Sequence, residues 1–258
     1  MNQQFNLSRF NLFLKYYWAE NGKSYLISLA LIIGIMLFLM LPIVGTDRYR
    51  DMLFILHILG LFGGVLLGGS LFTSTAFNSY ATSERGISAI MLPASRLEKF
   101  LGILLAHLLF ASLVFVVGYL LHYGLAGWAN QDIPDNQRKY GPAPIEVMLV
   151  LGFSYAILQG AVFLGSLYFT ENSFIKMLGI VLIVVIVAFI FNLFLAYHFT
   201  GYTASVMALP FTFWNVFDGQ TYVVDYPPPM VDLRNIFLGL IVVGLISITY
   251  VRLREKEI

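Results

Sequence analysis

Six long apolar runs constrain the fold of this chain more than any other feature of its sequence. Each is close to the roughly 20 residues that an α-helix needs to cross about 30 Å of hydrocarbon. The runs are Tyr25–Val44, Leu53–Thr73, Phe100–Leu121, Ile145–Phe169, Ile175–Tyr197 and Ile236–Tyr250. Of the 258 residues 59% are hydrophobic and 11% are charged, which is more apolar surface than one soluble core buries. The sequence therefore predicts an all-α integral membrane protein, with six transmembrane helices in a single domain over residues 1–258.

Composition and motif content disfavour several classes of function. The net charge is +1 and no basic run could follow a phosphate backbone, so we expect no nucleic acid partner. The absence of cysteine excludes disulfides, thiolate metal ligands and cysteine nucleophiles. No acidic residue lies deep in an apolar run, the four histidines are scattered, and there is no nucleotide-binding loop. We therefore assign no catalytic and no metal-binding residue, and we expect any driving energy to come from a partner.

An amphipathic helix is predicted before the first apolar run. Its apolar positions recur at spacings of three and four residues, and they are Leu7, Phe10, Phe13, Leu14, Tyr17 and Trp18. This pattern predicts a helix over Phe5–Gly22 that lies in the membrane interface and ends at Asn21-Gly22. The polar start of the chain lacks the cleavage pattern of a secretory signal, so we expect the first apolar run to stay in the protein.

A polar segment, Thr82–Gly102, separates the second and third apolar runs. Ser95 and Glu98 have the spacing of a capping box, in which each side chain bonds the backbone N–H of the other residue. Pro93 lacks an N–H and disfavours helix at the residue before it. The segment therefore predicts a short helix over Ser83–Met91, a break at Pro93 and a new helix that continues into the third run. An ordinary loop followed by a capped helix is the alternative interpretation.

The distribution of Lys and Arg predicts the orientation of the spans. With the N-terminus inside, ten of the fifteen Lys and Arg residues fall on the inner side and five on the outer side. Positively charged flanks stay in the cytoplasm. We therefore expect both termini and the segment Thr82–Gly102 to be cytoplasmic.

Two features inside the apolar runs are candidates for packing or for function. Gly60, Gly64 and Gly68 leave one face of the second span bare, which favours close helix packing and would also admit a substrate. The polar residues at membrane depth are His57, His107, Gln159 and Asn192. Such residues are functional candidates because they are costly to place in lipid, yet each could equally hold an interhelical hydrogen bond. We favour a structural role for the two histidines and leave both roles open for Asn192.

The segment before the last span differs from an ordinary loop. Thr203–Phe217 is apolar and aromatic but too short to cross the membrane, and Pro210 interrupts it. This composition predicts a re-entrant or interfacial helical hairpin on the outer side. A small packed outer cap is the alternative.

Together these features resemble the membrane subunit of a type-2 ABC transporter, which belongs to a class of export permeases. The resemblance covers nearly the whole chain: Phe5–Gly22 matches the elbow helix of the family, and Thr203–Phe217 matches its re-entrant segment before the sixth span. The most specific part is Arg85-Gly86 followed by Leu92-Pro93-Ala94-Ser95 and Glu98. The equivalent residues in the family form the coupling helix and the start of the third span.

The resemblance implies roles for particular residues. In the family, the coupling helix and the residues after it contact the ATPase subunit. Here these residues are Glu84, Arg85, Gly86, Ile87, Ile90, Met91, Pro93, Ser95, Arg96 and Glu98. The second and fifth spans largely line the family's translocation path, and here they carry Gly60, Gly64, Gly68 and Asn192.

The resemblance also implies partners and a location. We expect a homodimer or a complex with a paralogous permease in the lipid bilayer, above separate ABC ATPase subunits that bind ATP and Mg²⁺. This chain would then hold no cofactor and catalyse no reaction itself. The location implied is the bacterial cytoplasmic (inner) membrane. Two other classes of function remain as alternatives: a membrane-embedded enzyme, and a six-span structural or regulatory partner without a transport path.

Overall fold

The computed structural model describes residues 4–46, 49–80, 91–131, 133, 140–141, 143–169, 171–200, 205–208, 214–218, 220–224 and 227–256. Within them, six helices are long and apolar enough to cross a membrane, and they contain the six apolar runs almost entirely. They are α1 (Leu7–Met40), α2 (Asp51–Thr73), α3 (Arg96–Ala129), α4 (Ile145–Tyr168), α5 (Ser173–Phe199) and α6 (Pro228–Lys256). The prediction of a mainly helical, multi-pass membrane protein is confirmed at this level.

The first helix is longer than the sequence predicts. The predicted end at Asn21-Gly22 is wrong, because α1 runs without a break from Leu7 to Met40 and includes all but the first two residues assigned to a separate elbow helix. One glycine in a helix interior costs only about 1 kcal/mol relative to alanine, which tertiary packing readily outweighs. The side-chain nitrogen of Asn21 donates to the backbone oxygen of Tyr17, one turn earlier in the same helix, at 3.0 Å.

Close contact between α1 and α2 explains the glycines of the second span. Each of the three glycines at intervals of four residues lies under one side chain of α1: Gly60 under Met40, Gly64 under Met36 and Gly68 under Ile32. A Cβ atom added at Gly60 would lie 2.7 Å from Cγ of Met40, so no larger residue fits without movement. Between Gly63 and Gly68, α2 adopts a π-helical conformation, with α-helix on both sides. These glycines thus serve close packing within the chain.

Consecutive helices run in opposite directions, so the bundle has two ends. At one end, called here the Glu98 end, an apolar cluster joins the beginnings of α1 and α3 to the ends of α4 and α6: Phe13, Ala76, Phe77, Phe100, Ile103, Phe163, Leu167 and Leu253. At the opposite end, called here the Tyr140 end, the Tyr140 hydroxyl lies 3.3 Å from Oγ1 of Thr46 and accepts from the N–H of Arg50. The beginning of α1 and the end of α6 therefore lie at the same end of the bundle.

A small antiparallel sheet follows α5 at the Tyr140 end. Its strands are β1 (Ser205–Ala208), β2 (Trp214–Asp218) and β3 (Gln220–Val224), in the order β1-β2-β3. The predicted helical hairpin over Thr203–Phe217 is therefore wrong in its conformation, since the described residues of that segment are strands. Valine, threonine and aromatic side chains are frequent here and fit the pleated surface of a sheet. Val206 packs against Ala196 near the end of α5. Entry of this segment into the membrane stays a prediction.

Helix α5 is the least buried of the six. None of the residues in its most apolar 18-residue window is buried within the chain, whereas half of the corresponding window in α4 is buried. Among the helices, α5 packs mainly against α4, and α4 also packs along α6. Most of the α5 surface is consequently available to lipid or to another subunit.

Candidate functional site

The predicted coupling residues are only partly within the described chain. Glu84, Arg85, Gly86, Ile87 and Ile90 lie outside the described residues, so the short helix over Ser83–Met91 stays a prediction. The remaining members are Met91, Pro93, Ser95, Arg96 and Glu98, which lie at the Glu98 end of the bundle. The Met91 side chain is 77% exposed and offers an apolar contact at this surface.

The capping box at the start of α3 forms as the sequence predicts. The Ser95 hydroxyl accepts from the N–H of Glu98 at 3.3 Å, and Oε2 of Glu98 accepts from the N–H of Ser95 at 2.7 Å. Two backbone donors that the first turn of a helix would leave unpaired are thereby satisfied. The beginning of α3 is fixed at Arg96 by this pair.

The second carboxylate oxygen of Glu98 joins α3 to the beginning of α1. Oε1 accepts from the N–H of Asn6 at 2.6 Å and from Nη2 of Arg9 at 3.0 Å. The Glu98 side chain is fully buried, while Arg9 is 35% exposed. Removing Arg9 is destabilising, because the buried carboxylate then loses its countercharge and one of its hydrogen-bond donors. Glu98 is therefore a joint between two helices as well as a capping residue, and this group is called the Glu98 joint below.

The partners of Glu98 at the beginning of α1, Asn6 and Arg9, were not predicted from the sequence. Asn6 caps α1, since its side-chain oxygen accepts from the N–H groups of Ser8 at 2.9 Å and Arg9 at 3.2 Å. An asparagine directly before an apolar-periodic segment is a helix-start signal that could have located this cap. The contact between Asn6 and Glu98 joins residues 92 positions apart, and no local sequence pattern indicates it.

Polar residues at membrane depth are largely paired with one another. Gln159 on α4 accepts a hydrogen bond from Thr73 and donates to the Ser70 hydroxyl at 3.2 Å, so it ties α4 to the end of α2. Nδ1 of His107 lies 2.9 Å from the backbone oxygen of Ile103 and 3.2 Å from the Tyr25 hydroxyl. Interhelical bonds of this kind contribute roughly 1 kcal/mol each in a membrane. The structural role favoured for His107 agrees with these contacts.

His57 and His122 form a hydrogen-bonded pair near the Tyr140 end. The N–H of Ala143 donates to Nε2 of His122 at 2.9 Å, so that nitrogen must carry a lone pair and the His122 proton must be on Nδ1. That proton is donated to Nε2 of His57 at 2.9 Å, and Nδ1–H of His57 is donated to the Met40 oxygen at 3.1 Å. The chain of bonds satisfies every ring nitrogen with both histidines neutral. His57 therefore has a structural role, as favoured from the sequence.

The residues predicted for a translocation path do not meet at one place within this chain. Gly60, Gly64 and Gly68 face α1, whereas Asn192 lies on the exposed helix α5. Nδ2 of Asn192 is shielded from solvent and has no hydrogen-bond partner among the described residues. A role for these four residues in a translocation path stays a prediction. Packing against α1 accounts for the three glycines, but no contact among the described residues accounts for Asn192.

A cavity of about 400 Å³ lies between α3, α4 and α6. Its walls are mainly apolar, and its polar lining residues are Thr73, His107, Ser112, Tyr155 and Gln159. A second cavity of about 410 Å³ at the Glu98 end is lined by residues of α1, by residues between 72 and 80, by Leu92, and by Ile103 and His107 of α3. This second cavity is more polar and adjoins the predicted coupling segment.

Comparison with known proteins adds no family assignment. No protein-family model, curated protein or solved structure matches this chain. Among the described residues, no group of three or more His, Asp or Glu side chains could hold a metal ion. The fold and its apolar helices define a multi-pass membrane protein.

Proposed function

We propose that this chain is the membrane-spanning subunit of an ATP-driven ABC exporter, which couples to a separate ATPase subunit and contributes to the translocation path. The proposal begins from the sequence resemblance to type-2 ABC permeases. The structural observation that carries it furthest is the Glu98 joint, in which one buried carboxylate bonds the beginnings of α1 and α3. The partner ATPase would hold ATP and Mg²⁺.

The Glu98 joint gives a physical route for force transmission. The predicted coupling helix ends at Met91, seven positions before Glu98 in the sequence. A force applied to that helix reaches Ser95 through a short segment containing Pro93, and Glu98 then transfers it to Asn6 and Arg9 on α1. Because the carboxylate is held by three donors, α1 and α3 are expected to move together.

Apolar side chains are expected to dominate docking of the ATPase. Full burial of a methionine or isoleucine side chain contributes about 1.5–3 kcal/mol, whereas an exposed ion pair contributes about 0–1 kcal/mol. Met91, with 77% of its surface exposed, is the described candidate, and Ile90 is its neighbour in the sequence. Arg96 would contribute less than either of them.

Affinity purification from native membranes in mild detergent tests this proposal. The tagged chain should retain an ATPase and show ATP turnover that orthovanadate inhibits. Met91→Asp should release the ATPase while the chain still inserts. The matched control is Met52→Asp, because Met52 is 73% exposed but lies at the Tyr140 end.

The outcomes separate the exporter from its alternatives. Loss of ATPase with Met91→Asp but not with Met52→Asp supports coupling at the Glu98 end. If no ATPase accompanies the unmodified chain, the exporter proposal fails and a membrane-embedded enzyme or a non-transporting six-span partner takes its place. Equal retention of ATPase by both variants would place the docking surface elsewhere.

A further inference from the structure

The second cavity, of about 410 Å³ at the Glu98 end, has the size of a small-molecule site. Ligand pockets typically have volumes of about 300–1,000 Å³. Six aromatic side chains line this cavity, and they are Phe13, Tyr16, Tyr17 and Tyr25 of α1, Phe72 of α2, and Tyr80. The face of an aromatic ring is electron-rich and attracts cations. The lining is therefore suited to a positively charged group.

Glu20 supplies a carboxylate to the same cavity. It is the only Asp, Glu, Lys or Arg among the described residues that line the cavity. Its side chain is exposed and follows Tyr16 by one helical turn, so the two side chains share a face of α1. Among the described residues Glu20 forms no ion pair, although Lys23 follows it by three positions. The carboxylate is therefore available to a cationic ligand.

Asn21, the next residue on α1, adds a hydrogen-bond acceptor to the lining. Its Nδ2 donates to the backbone oxygen of Tyr17 at 3.0 Å, so Oδ1 is the atom that remains for a ligand. That oxygen can only accept. A primary ammonium group has three N–H donors, whereas a trimethylammonium group has none. The two acceptors on Glu20 and Asn21 therefore favour a primary ammonium.

The exposed aromatic residues of α1 indicate the depth of the cavity in the membrane. Tyr16 and Trp18 are 47% and 56% exposed, and exposed Tyr and Trp side chains are enriched at the level of the lipid headgroups. The lining residues Tyr16, Glu20 and Asn78 are all exposed, so the cavity is open to its surroundings. An ammonium group can thus enter while it keeps part of its hydration, which avoids the large cost of burying a charge.

We propose that this cavity binds a primary ammonium group, carried by the ethanolamine headgroup of a bilayer lipid or by a soluble alkylamine. The ammonium donates to the Glu20 carboxylate and to Oδ1 of Asn21, and the methylene groups next to it contact the aromatic lining. This site goes beyond the proposed exporter function and does not depend on it.

Native mass spectrometry of the purified full chain tests the lipid as the source of the ammonium. The probes are phosphatidylethanolamine and phosphatidylcholine with the same acyl chains, supplied together at equal concentration. The two headgroups differ only in three methyl groups, which remove all three N–H donors. We expect the phosphatidylethanolamine adduct to exceed the phosphatidylcholine adduct by about threefold or more.

Calorimetric titration with butylammonium chloride tests the soluble source. The chain is placed in phosphatidylcholine nanodiscs, which contain no primary ammonium, and empty nanodiscs provide the blank. Saturable heat above that blank supports a site for a soluble amine. A preference for phosphatidylethanolamine without such heat supports a site for the lipid headgroup.

Glu20→Gln tests the carboxylate, because it removes the charge and keeps the shape of the side chain. It should reduce the preference for phosphatidylethanolamine, or the affinity for butylammonium, by about threefold or more. Glu255→Gln is the matched control, since Glu255 is also exposed at the Glu98 end but does not line the cavity. Tyr16→Leu removes one exposed ring and should weaken binding by about twofold to fivefold. Both Glu20 and Tyr16 are exposed, so the fold should tolerate either change.

Three results would overturn the proposal. The first is equal binding of the two lipids together with no saturable heat from butylammonium. The second is unchanged binding in Glu20→Gln. The third is an equal loss in Glu20→Gln and Glu255→Gln, because binding would then follow the overall charge of this end and not the cavity. The ATPase co-purification varies Met91 and leaves Glu20 intact, so either proposal can fail while the other stands.

Discussion

Arg9 and Glu98 form an ion pair of 3.0 Å between the first turns of two helices that are adjacent in space and 89 residues apart in sequence. The carboxylate is fully buried, and the guanidinium group also donates to the Gln4 backbone oxygen at 2.6 Å. The beginning of α1 is thereby fixed to the helix that follows the predicted coupling segment. Removing this pair should affect both stability and the transmission of force.

The first prediction concerns the energetic coupling of this pair. Glu98→Gln replaces one acceptor oxygen by an NH₂ group, so a single carbonyl oxygen remains for three donors. Arg9→Met leaves the carboxylate with two backbone N–H partners. Each change should cost about 1–3 kcal/mol, and the double variant should cost less than their sum by about 0.5–3 kcal/mol. Thermal unfolding followed by size-exclusion chromatography measures these differences.

The control for this comparison of single and double variants is the exposed ion pair of Arg252 and Glu255. Its atoms approach to 2.7 Å, but Glu255 is 55% exposed. Glu255→Gln should leave the unfolding temperature nearly unchanged, since exposed pairs contribute little. Strictly additive effects of Glu98→Gln and Arg9→Met would contradict the coupling.

The second prediction compares two neighbouring glycines of α2. A Cβ at Gly64 would overlap the Met36 side chain close to its base, whereas a Cβ at Gly63 would meet nothing within 4 Å. Gly64→Ala should therefore destabilise the chain by about 1–3 kcal/mol through overpacking. Gly63→Ala should be neutral, or stabilising by up to about 1 kcal/mol through helix propensity.

The measurement is thermal unfolding of both variants in the same detergent. Adding Met36→Ala to Gly64→Ala should recover part of the loss by removing the overlap, at the expense of the packing that Met36 provides. If Gly63→Ala proves as damaging as Gly64→Ala, the damage comes from the π-helical conformation and not from the α1 contact.

The helical part of the fold could be predicted because backbone N–H and C=O groups in lipid must be hydrogen-bonded within the protein. A membrane helix satisfies its own backbone groups, so a run of apolar residues is enough to locate it, as it was for all six helices. The Ser95–Glu98 capping box was predictable for a similar reason, since its partners are three residues apart. Both are local signals that do not depend on the rest of the chain.

The sequence predictions were wrong where contacts between residues far apart in the sequence determine the local structure. The continuity of α1 through Gly22 follows from its tertiary packing, which outweighs the small local cost of one glycine. Val206 and its neighbours form strands that pair with one another and pack on α5, although the same apolar composition also suits a helix. The pairing of His57 with His122 and that of Asn6 with Glu98 likewise leave no local pattern.

The third prediction concerns the protonation of the histidine pair. The contacts from Ala143 through His122 and His57 to Met40 require both rings to be neutral with the proton on Nδ1. Solid-state ¹⁵N NMR of labelled protein in lipid should show a protonated Nδ1 and an unprotonated Nε2 for each. His198, which is exposed on α5, provides a comparison signal. A protonated Nε2 on either ring of the pair would contradict the assigned direction of the bonds.

The last prediction concerns Asn192 and the surface of α5. An amide in contact with lipid alone is unfavourable, so its replacement by leucine should stabilise a monomer. An amide that bonds a second copy should instead weaken the dimer when replaced, by about 1 kcal/mol or a few-fold in the dissociation constant. Because α5 is largely uncovered and Asn192 is partly exposed on it, we expect the second result.

Energy transfer between fluorescently labelled copies in liposomes, measured against dilution with lipid, gives the dissociation constant. The control adds Ile183→Asn to Asn192→Leu, which moves the amide to another exposed position of α5. This second change should not restore association. A dissociation constant for Asn192→Leu that equals or falls below that of the unmodified chain would mean that α5 faces lipid at this point. A second copy of the chain, as the exporter proposal requires, would then have to contact a different helix.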